Sequence, residues 1–178
     1  MNKETIKKLY ILQVKWNGIP KAIYDSLNEE ERYPIEKIGD RYYLKIQDRK
    51  SITVVMTGGA FDILHMGHVY TLNEAKRHGD VLIVSVATDE LIKKKKNKLV
   101  HTQEYRTKMV EFLKPVDLAL LGIETPKKTL ERVKPDVIVY GYDQRPFLQP
   151  EGVKIVQLKE NLDDEKLKTS RIIRELGL

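Results

Sequence analysis

Beyond Lys50, apolar residues fall into short unbroken runs separated by amphipathic stretches. Ile52-Thr53-Val54-Val55-Met56 reads as a buried strand ending at Gly58-Gly59. Met66–His78 carries Val69, Leu72 and Ala75 at helical spacing and stops at Gly79. Val81–Ala87 is a second buried strand, and Thr102–Leu113 an amphipathic helix with Met109, Val110 and Leu113 on one side and Pro115 after it. Asp117–Leu121, Asp136–Tyr140 and Val153–Leu158 supply three more strands. Thr125-Pro126 marks a helix start, because a threonine hydroxyl can cap and proline fits the first helical position. Ser170–Leu176 reads as a closing helix.

Strands that are apolar throughout, separated by helices, predict a parallel sheet covered on both faces. Right-handed crossovers make this an α/β fold over residues 51–178, a doubly wound parallel sheet of Rossmann-like type. Such sheets bind ligands beyond the carboxyl ends of their strands. The segments to watch are therefore Thr57–His68, Thr88–His101, Gly122–Thr125 and Gly141–Phe147.

Residues 1–50 have a different pattern. Lys3–Val14 and Ile19–Leu27 read as helices, and Glu36–Ile46 as a hairpin turning at Gly39-Asp40. This small N-terminal α+β extension has two readings. One is a winged-helix-like module; the other is a support packed on the catalytic domain or on a second subunit, which would make a homodimer.

Composition narrows the class. Charged residues make up 33% of the 178, and there is no cysteine. Disulfides, thiolate metal sites and cysteine nucleophiles are excluded. No apolar run approaches the roughly 18 residues that cross a bilayer, and lysines interrupt Met1–Lys15 where a signal peptide would need an apolar core. A cytoplasmic chain, with no membrane partner, is expected. The net charge of +6 is evenly spread, with 11 basic and 8 acidic residues through Lys50 and 21 and 18 beyond. Nucleic-acid binders concentrate their basic charge, so nucleic acid is disfavoured as a partner. A regulator that senses a nucleotide and binds DNA through the extension is the rival reading from another class. The dense run Lys93, Lys94, Lys95, Lys96 follows the second strand, where it suits either a polyanionic small ligand or a solvated loop.

Gly58-Gly59-Ala60-Phe61-Asp62-Ile63-Leu64-His65-Met66-Gly67-His68 leaves a strand and enters a helix. Backbone amides and a helix N-terminus at such a junction form an anion site. Gly59 lets the chain approach a phosphate, and Gly67 removes a side chain between the two histidines. His65 and His68 are three apart, so both can face one point at the first turn and neutralise charge on a phosphate under attack. Phosphoryl-type transfer needs mostly positioning and charge stabilisation. A zinc reading lacks a third ligand at motif spacing, and no GxGxxG or GxxxxGK[ST] occurs.

Gly59–His68 resembles the GxFDxxHxGH signature of the cytidylyltransferase-like superfamily, and the similarity extends over roughly Ile52–Leu176. The resemblance implies a nucleotidyltransferase that moves a nucleoside monophosphate from ATP or CTP to a phosphorylated acceptor and releases pyrophosphate. It implies His65 and His68 as transition-state residues, and Asp62 near the phosphates and a divalent cation such as Mg²⁺. It places Gly59, Ala60, Phe61, Met66 and Gly67 at the nucleotide, with Ala60 departing from the threonine common there. Lys168–Ile173 is similar to the family's second signature, which implies that Thr169, Ser170 and Arg171 hold phosphates.

Arg106–Lys114, Val116–Ala119, Lys134–Ile138 and Gly141-Tyr142-Asp143-Gln144 resemble the archaeal FAD synthases, which makes FMN the first-choice acceptor. In that reading Gly141, Tyr142 and Asp143 lie at the base and sugar, while Lys93–Lys96 and Arg106 draw in charge. Glycerol phosphate or another polyol phosphate, with CTP as donor, is the alternative.

Overall fold

The computed structural model describes residues 2–95, 99–123, 125–159, 175 and 177, and the chain divides into two compact units, Met1–Thr53 and Val54–Leu178.

The first unit begins with α1 (Lys3–Trp16), whose N-terminus is capped by the Asn2 side chain accepting from the Glu4 amide at 3.0 Å. Ile6, Leu9, Tyr10 and Val14 recur on one face of α1 and are buried. α2 (Lys21–Ser26) and α3 (Glu29–Arg32) follow, then the antiparallel pair β1 (Ile35–Ile38) and β2 (Arg41–Leu44). The Ile19 and Tyr42 backbones exchange hydrogen bonds of 2.8 and 3.0 Å, and the Tyr24 and Tyr42 rings stack with centroids 3.9 Å apart. Asn28 and Glu31 form a capping box at α3. A short α4 (Ile46–Arg49) ends the unit.

The second unit is built on five parallel strands: β3 (Val54–Gly59), β4 (Val81–Val86), β5 (Leu118–Leu121), β6 (Val137–Tyr140) and β7 (Lys154–Gln157). Their order is β5-β4-β3-β6-β7, so the sheet grows outward from β3 in both directions, and crossovers diverge at its carboxyl end. α5 (Met66–Lys76) and α7 (Gln103–Glu111) serve the β4 and β5 side, and α8 (Pro126–Val133) returns to β6. Right-handed crossovers put α8 on the face opposite α5 and α7.

Strand alternation agrees with this. Val55, Leu82, Val84, Val86, Val137 and Val139 pack with Leu72 and Ala75 of α5 and Val110 of α7. The alternate residues Met56, Ser85, Ile138 and Tyr140 face the other side.

Element positions differ from the hydrophobic reading mainly after β4. There Lys93, Lys94 and Lys95 of the run expected on a loop are carried by a further helix, α6 (Asp89–Lys95), with Ile92 buried. A single buried residue among positions 89–94 gives too weak a periodic signal to read from the chain. Thr125 caps α8 as expected, its hydroxyl accepting from the Lys128 amide at 3.3 Å, with Pro126 in the first turn. The closing helix expected over Ser170–Leu176 lies outside the described residues, apart from Glu175. Among the described residues no helix is long and apolar enough to cross a membrane.

Candidate active site

β3 delivers Gly58 and Gly59 to the carboxyl edge of the sheet, and the chain then turns through Phe61 at φ 53°, a left-handed conformation. The Phe61 ring is buried and folds back against Gly59, where a Cβ would lie 3.0 Å from the ring. A side chain at Gly59 would press on Phe61, which in turn lies 5.1 Å from the His68 ring. Gly59 therefore serves packing of the loop directly, whatever it offers a phosphate.

His65 is the N-cap residue of α5, in extended backbone, yet its side chain does not cap the helix. Its carbonyl accepts the His68 amide at 3.0 Å, closing the first turn and bringing the rings together. The two imidazole centroids are 3.9 Å apart and tilted by 40°. Both are half-buried, and Met66 between them points outward at 60% exposure. Two potential cations thus meet at the positive end of a helix of 11 residues. Such a corner can hold phosphate oxygens and stabilise charge that builds on them.

Asp62 lies elsewhere. Only 3% exposed, its carboxylate accepts the Val100 amide at 3.0 and 3.2 Å and the His101 amide at 2.9 Å. The Asp62 carbonyl meets His101 Nδ1 at 2.8 Å, and the His101 ring stacks on Tyr105. Asp62 ties the loop before α5 to the loop before α7. Both carboxylate oxygens are engaged by amides, which does not suit a direct metal ligand. Among the described residues no three His, Cys, Asp or Glu side chains are grouped to hold a metal ion.

Arg106 was expected to draw in phosphate charge; the structure puts it in the interior at 0% exposure. Its Nε donates to the His101 carbonyl at 3.1 Å, Nη1 to the Ala60 carbonyl, and Nη2 to the Ala87 carbonyl and the Asp89 carboxylate at 2.8 and 2.7 Å. A planar fork with five donors suits this convergence of three loops, and it leaves the guanidinium little to offer a ligand. The physical reason is placement: Arg106 is on the inner face of α7, with the buried Val110 one turn on.

A cleft of 710 Å³ opens beside the Gly58–Ala60 loop, on the face away from α5 and α7. Its floor includes Met56, Ser85 and Tyr140, and its walls come from α6, α8 and the segment after β6. Asp143, exposed, reaches the rim; Gly141 is buried at the strand end. Gln144 braces this corner, donating to the Gly58 carbonyl at 2.9 Å and accepting the Gly141 amide at 3.1 Å. Gln157 donates to the Gly141 carbonyl, and the Tyr140 hydroxyl bonds both the amide and the carbonyl of Leu148 at 3.0 Å.

Of the expected residues, Gly59, Ala60, Phe61, Met66, Gly67, His65 and His68 lie on the loop and first turn of α5, while Asp143 lines the cleft together with Gly59 and Ala60. Tyr142 is half-buried next to it. Lys93 and Lys94 are exposed on α6; Lys95 ends that helix, and Lys96, Thr169, Ser170 and Arg171 lie outside the described residues. Sequence reading passed over Thr129 in the cleft wall and Gln103, which donates to the Val86 and Gly122 carbonyls at 2.9 and 3.0 Å, and gave Gln144 no task beyond its place in the Gly141–Gln144 stretch. The partners of Gln103 lie 17 and 19 residues away and Gln144 reaches Gly58 across 86, so no local pattern announces these contacts. A threonine among apolar positions of α8 was the one available sign.

Residues 56–175 match the family model described as Cytidylyltransferase-like. The FAD synthase of Aciduliprofundum boonei is 45% identical over 130 residues, covering 67% of this chain and 87% of that protein. The FAD synthase of Ferroglobus placidus is 42% identical over 132 residues, with 68% and 86% covered. That of Thermoplasma acidophilum is 41% identical over 121 residues, with 67% and 80% covered. Among solved structures, the lipopolysaccharide core biosynthesis protein of Thermoplasma volcanium superposes with a TM-score of 0.55 at 37% identity, over 62% of this chain and 98% of that one.

Proposed function

This chain belongs to the cytidylyltransferase-like family, as a nucleotidyltransferase, and from that membership we propose that it is an FMN adenylyltransferase, making FAD from ATP and FMN in the cytoplasm. The reading rests on one observation above the others: two histidines 3.9 Å apart at the N-terminus of α5, at the end of a loop whose Gly59 and Ala60 line a cleft of 710 Å³. The names of the relatives supply the direction of the proposal.

An oxygen of the FMN phosphate attacks the α-phosphorus of ATP. The new bond joins FMN to AMP, the bond from the α-phosphorus to its bridging oxygen breaks, and pyrophosphate leaves with that electron pair. The attacking phosphate is already ionised at neutral pH, so no protein base is required. What the protein must do is bring two polyanions together and hold the charge that develops. The first-turn amides of α5 and the imidazoles of His65 and His68 do this. Lys93 and Lys94 lower the repulsion between the incoming phosphates. Thr169, Ser170 and Arg171, by their likeness to the second signature, hold the outer phosphates.

ATP enters as its complex with a divalent cation. The cation would offset charge on the phosphates it arrives with, while the Asp62 carboxylate is engaged by the Val100 and His101 amides.

The test crosses ATP and CTP against FMN and glycerol 3-phosphate with Mg²⁺, reading pyrophosphate and FAD separately. FAD from ATP and FMN is the expected product. Turnover only with CTP and glycerol 3-phosphate would transfer the proposal to a polyol phosphate.

A further inference from the structure

Thr129 sits in the middle of α8, 1% exposed, and lines the cleft. A threonine inside a helix commonly satisfies its hydroxyl on the carbonyl four residues back. Thr107 does so in this protein, donating to the Gln103 carbonyl at 2.8 Å. The Thr129 hydroxyl, by contrast, is buried and makes no hydrogen bond among the described residues. Buried hydroxyls are rarely left so, and a case in the wall of a cleft points to a ligand that supplies the missing partner.

We propose that this cleft seats the isoalloxazine ring of the flavin acceptor and that the Thr129 hydroxyl hydrogen-bonds the ring's pyrimidine edge; the inference rests on the FMN reading above. The chemistry of the walls favours this occupant. Leu91, Ile92, Ile123, Pro126 and Leu148 offer no side-chain hydrogen bonds. Isoalloxazine has a dimethylbenzene end with no polar atom and a pyrimidine end with carbonyl and N–H groups, so it is amphiphilic along its length. The rest of the lining includes Thr88, Asp143, Gln144 and Arg145, whose polar side chains suit the pyrimidine end.

Size agrees, since 710 Å³ lies within the usual range for small-molecule sites. Geometry agrees as well. Gly58, Gly59 and Ala60 line the cleft and continue into the turn that ends at His65 and His68. A ring held near Thr129 therefore directs its ribityl phosphate along that loop toward the α5 N-terminus.

The experiment uses the full chain. FMN binding is read by quenching of flavin fluorescence, and KM for FMN and for ATP by FAD formation. Thr129→Val keeps the shape and removes the hydroxyl. It is expected to raise both FMN constants on the order of tenfold and to leave KM for ATP within about twofold. Thr129→Ser should restore FMN binding to near the wild-type value. The melting temperature of Thr129→Val without ligand should equal or exceed that of wild type, because an unpaired buried hydroxyl has gone.

Ile123→Trp, at a half-buried wall position, fills the cleft independently and should weaken FMN binding in the same selective way. A rise in KM for ATP with FMN unaffected would give the cleft to adenine and overturn the inference. FMN constants unchanged in both variants, with wild type active on FMN, would overturn the inference while leaving the proposed function standing. Wild type that neither quenches FMN nor makes FAD would instead overturn the function and the inference with it.

Discussion

The Asp62 carboxylate accepts the backbone amide of His101 at 2.9 Å, across 39 residues of chain, and so joins the loop that carries the histidine pair to the loop that opens α7. The arrangement gives Asp62 a positioning task. A carboxylate with two amides and 3% exposure is held by protein, and its removal releases both loops at once.

Replacing Asp62 by alanine is therefore expected to lower the unfolding free energy by about 1.5–3 kcal/mol, the range for hydrogen bonds to a charged group. The half-saturating Mg²⁺ concentration should remain within about threefold of wild type. Denaturant titration and initial rates across Mg²⁺ concentrations read the two effects. A loss of metal affinity by about 10–100-fold, with stability intact, would place the metal on Asp62 after all.

His68 approaches His65 at 3.9 Å between ring centroids, at the helix end where the α-phosphate is proposed to sit. His68→Ala should cost on the order of 10²–10³ in kcat, with KM for ATP changed far less, because the interaction strengthens only as charge develops. Steady-state kinetics decide it. Near-normal kcat would remove His68 from the mechanism.

Arg106 carries a full charge at 0% exposure, balanced by Asp89 at 2.7 Å and by carbonyls of Ala60, Ala87 and His101. Arg106→Met leaves Asp89 without its partner and several carbonyls without donors. The expected loss of stability is about 3–5 kcal/mol, measured by chemical denaturation. Arg106→Lys should recover only part of this, since an ammonium cannot span the same acceptors. A surface phosphate-binding role would instead leave stability unchanged and raise KM in a salt-dependent way.

In the first unit, the Lys8 ammonium 2.5 Å from Glu31, together with the Asn28 amide, holds the Glu31 carboxyl below its ordinary value of 4.5. A depressed folded-state value contributes stability that is complete above pH 4.5 and is lost as pH falls through the folded-state value. Glu31→Gln removes this contribution. Thermal melts of the two proteins should differ at pH 7 and converge as the pH is lowered below 4.5. A difference that stays constant with pH would assign the effect to the capping box alone.

Features legible in the sequence were local ones. Apolar runs such as Val81–Val86 and Val137–Tyr140 declare buried parallel strands, because a strand covered on both faces has no polar side to show. Thr125-Pro126 announces α8 by the geometry of a helix start. The histidine pair was legible for the same reason, since a spacing of three at a helix start fixes their proximity within one turn.

Tertiary structure alone decided the rest. Arg106 reads as a phosphate-binding cation until α7 docks its inner face against β5 and β4. Asp62 reads as a residue near a divalent cation, and only the fold brings the amides of residues 100 and 101 to its carboxylate. Gln144 meets Gly58 across 86 residues, and Thr129 acquires a function only when α8 closes one wall of a cleft. Hydrophobic periodicity encodes which face of an element is buried, whereas the pairing of buried polar groups depends on which distant loops the packed sheet brings to the same edge.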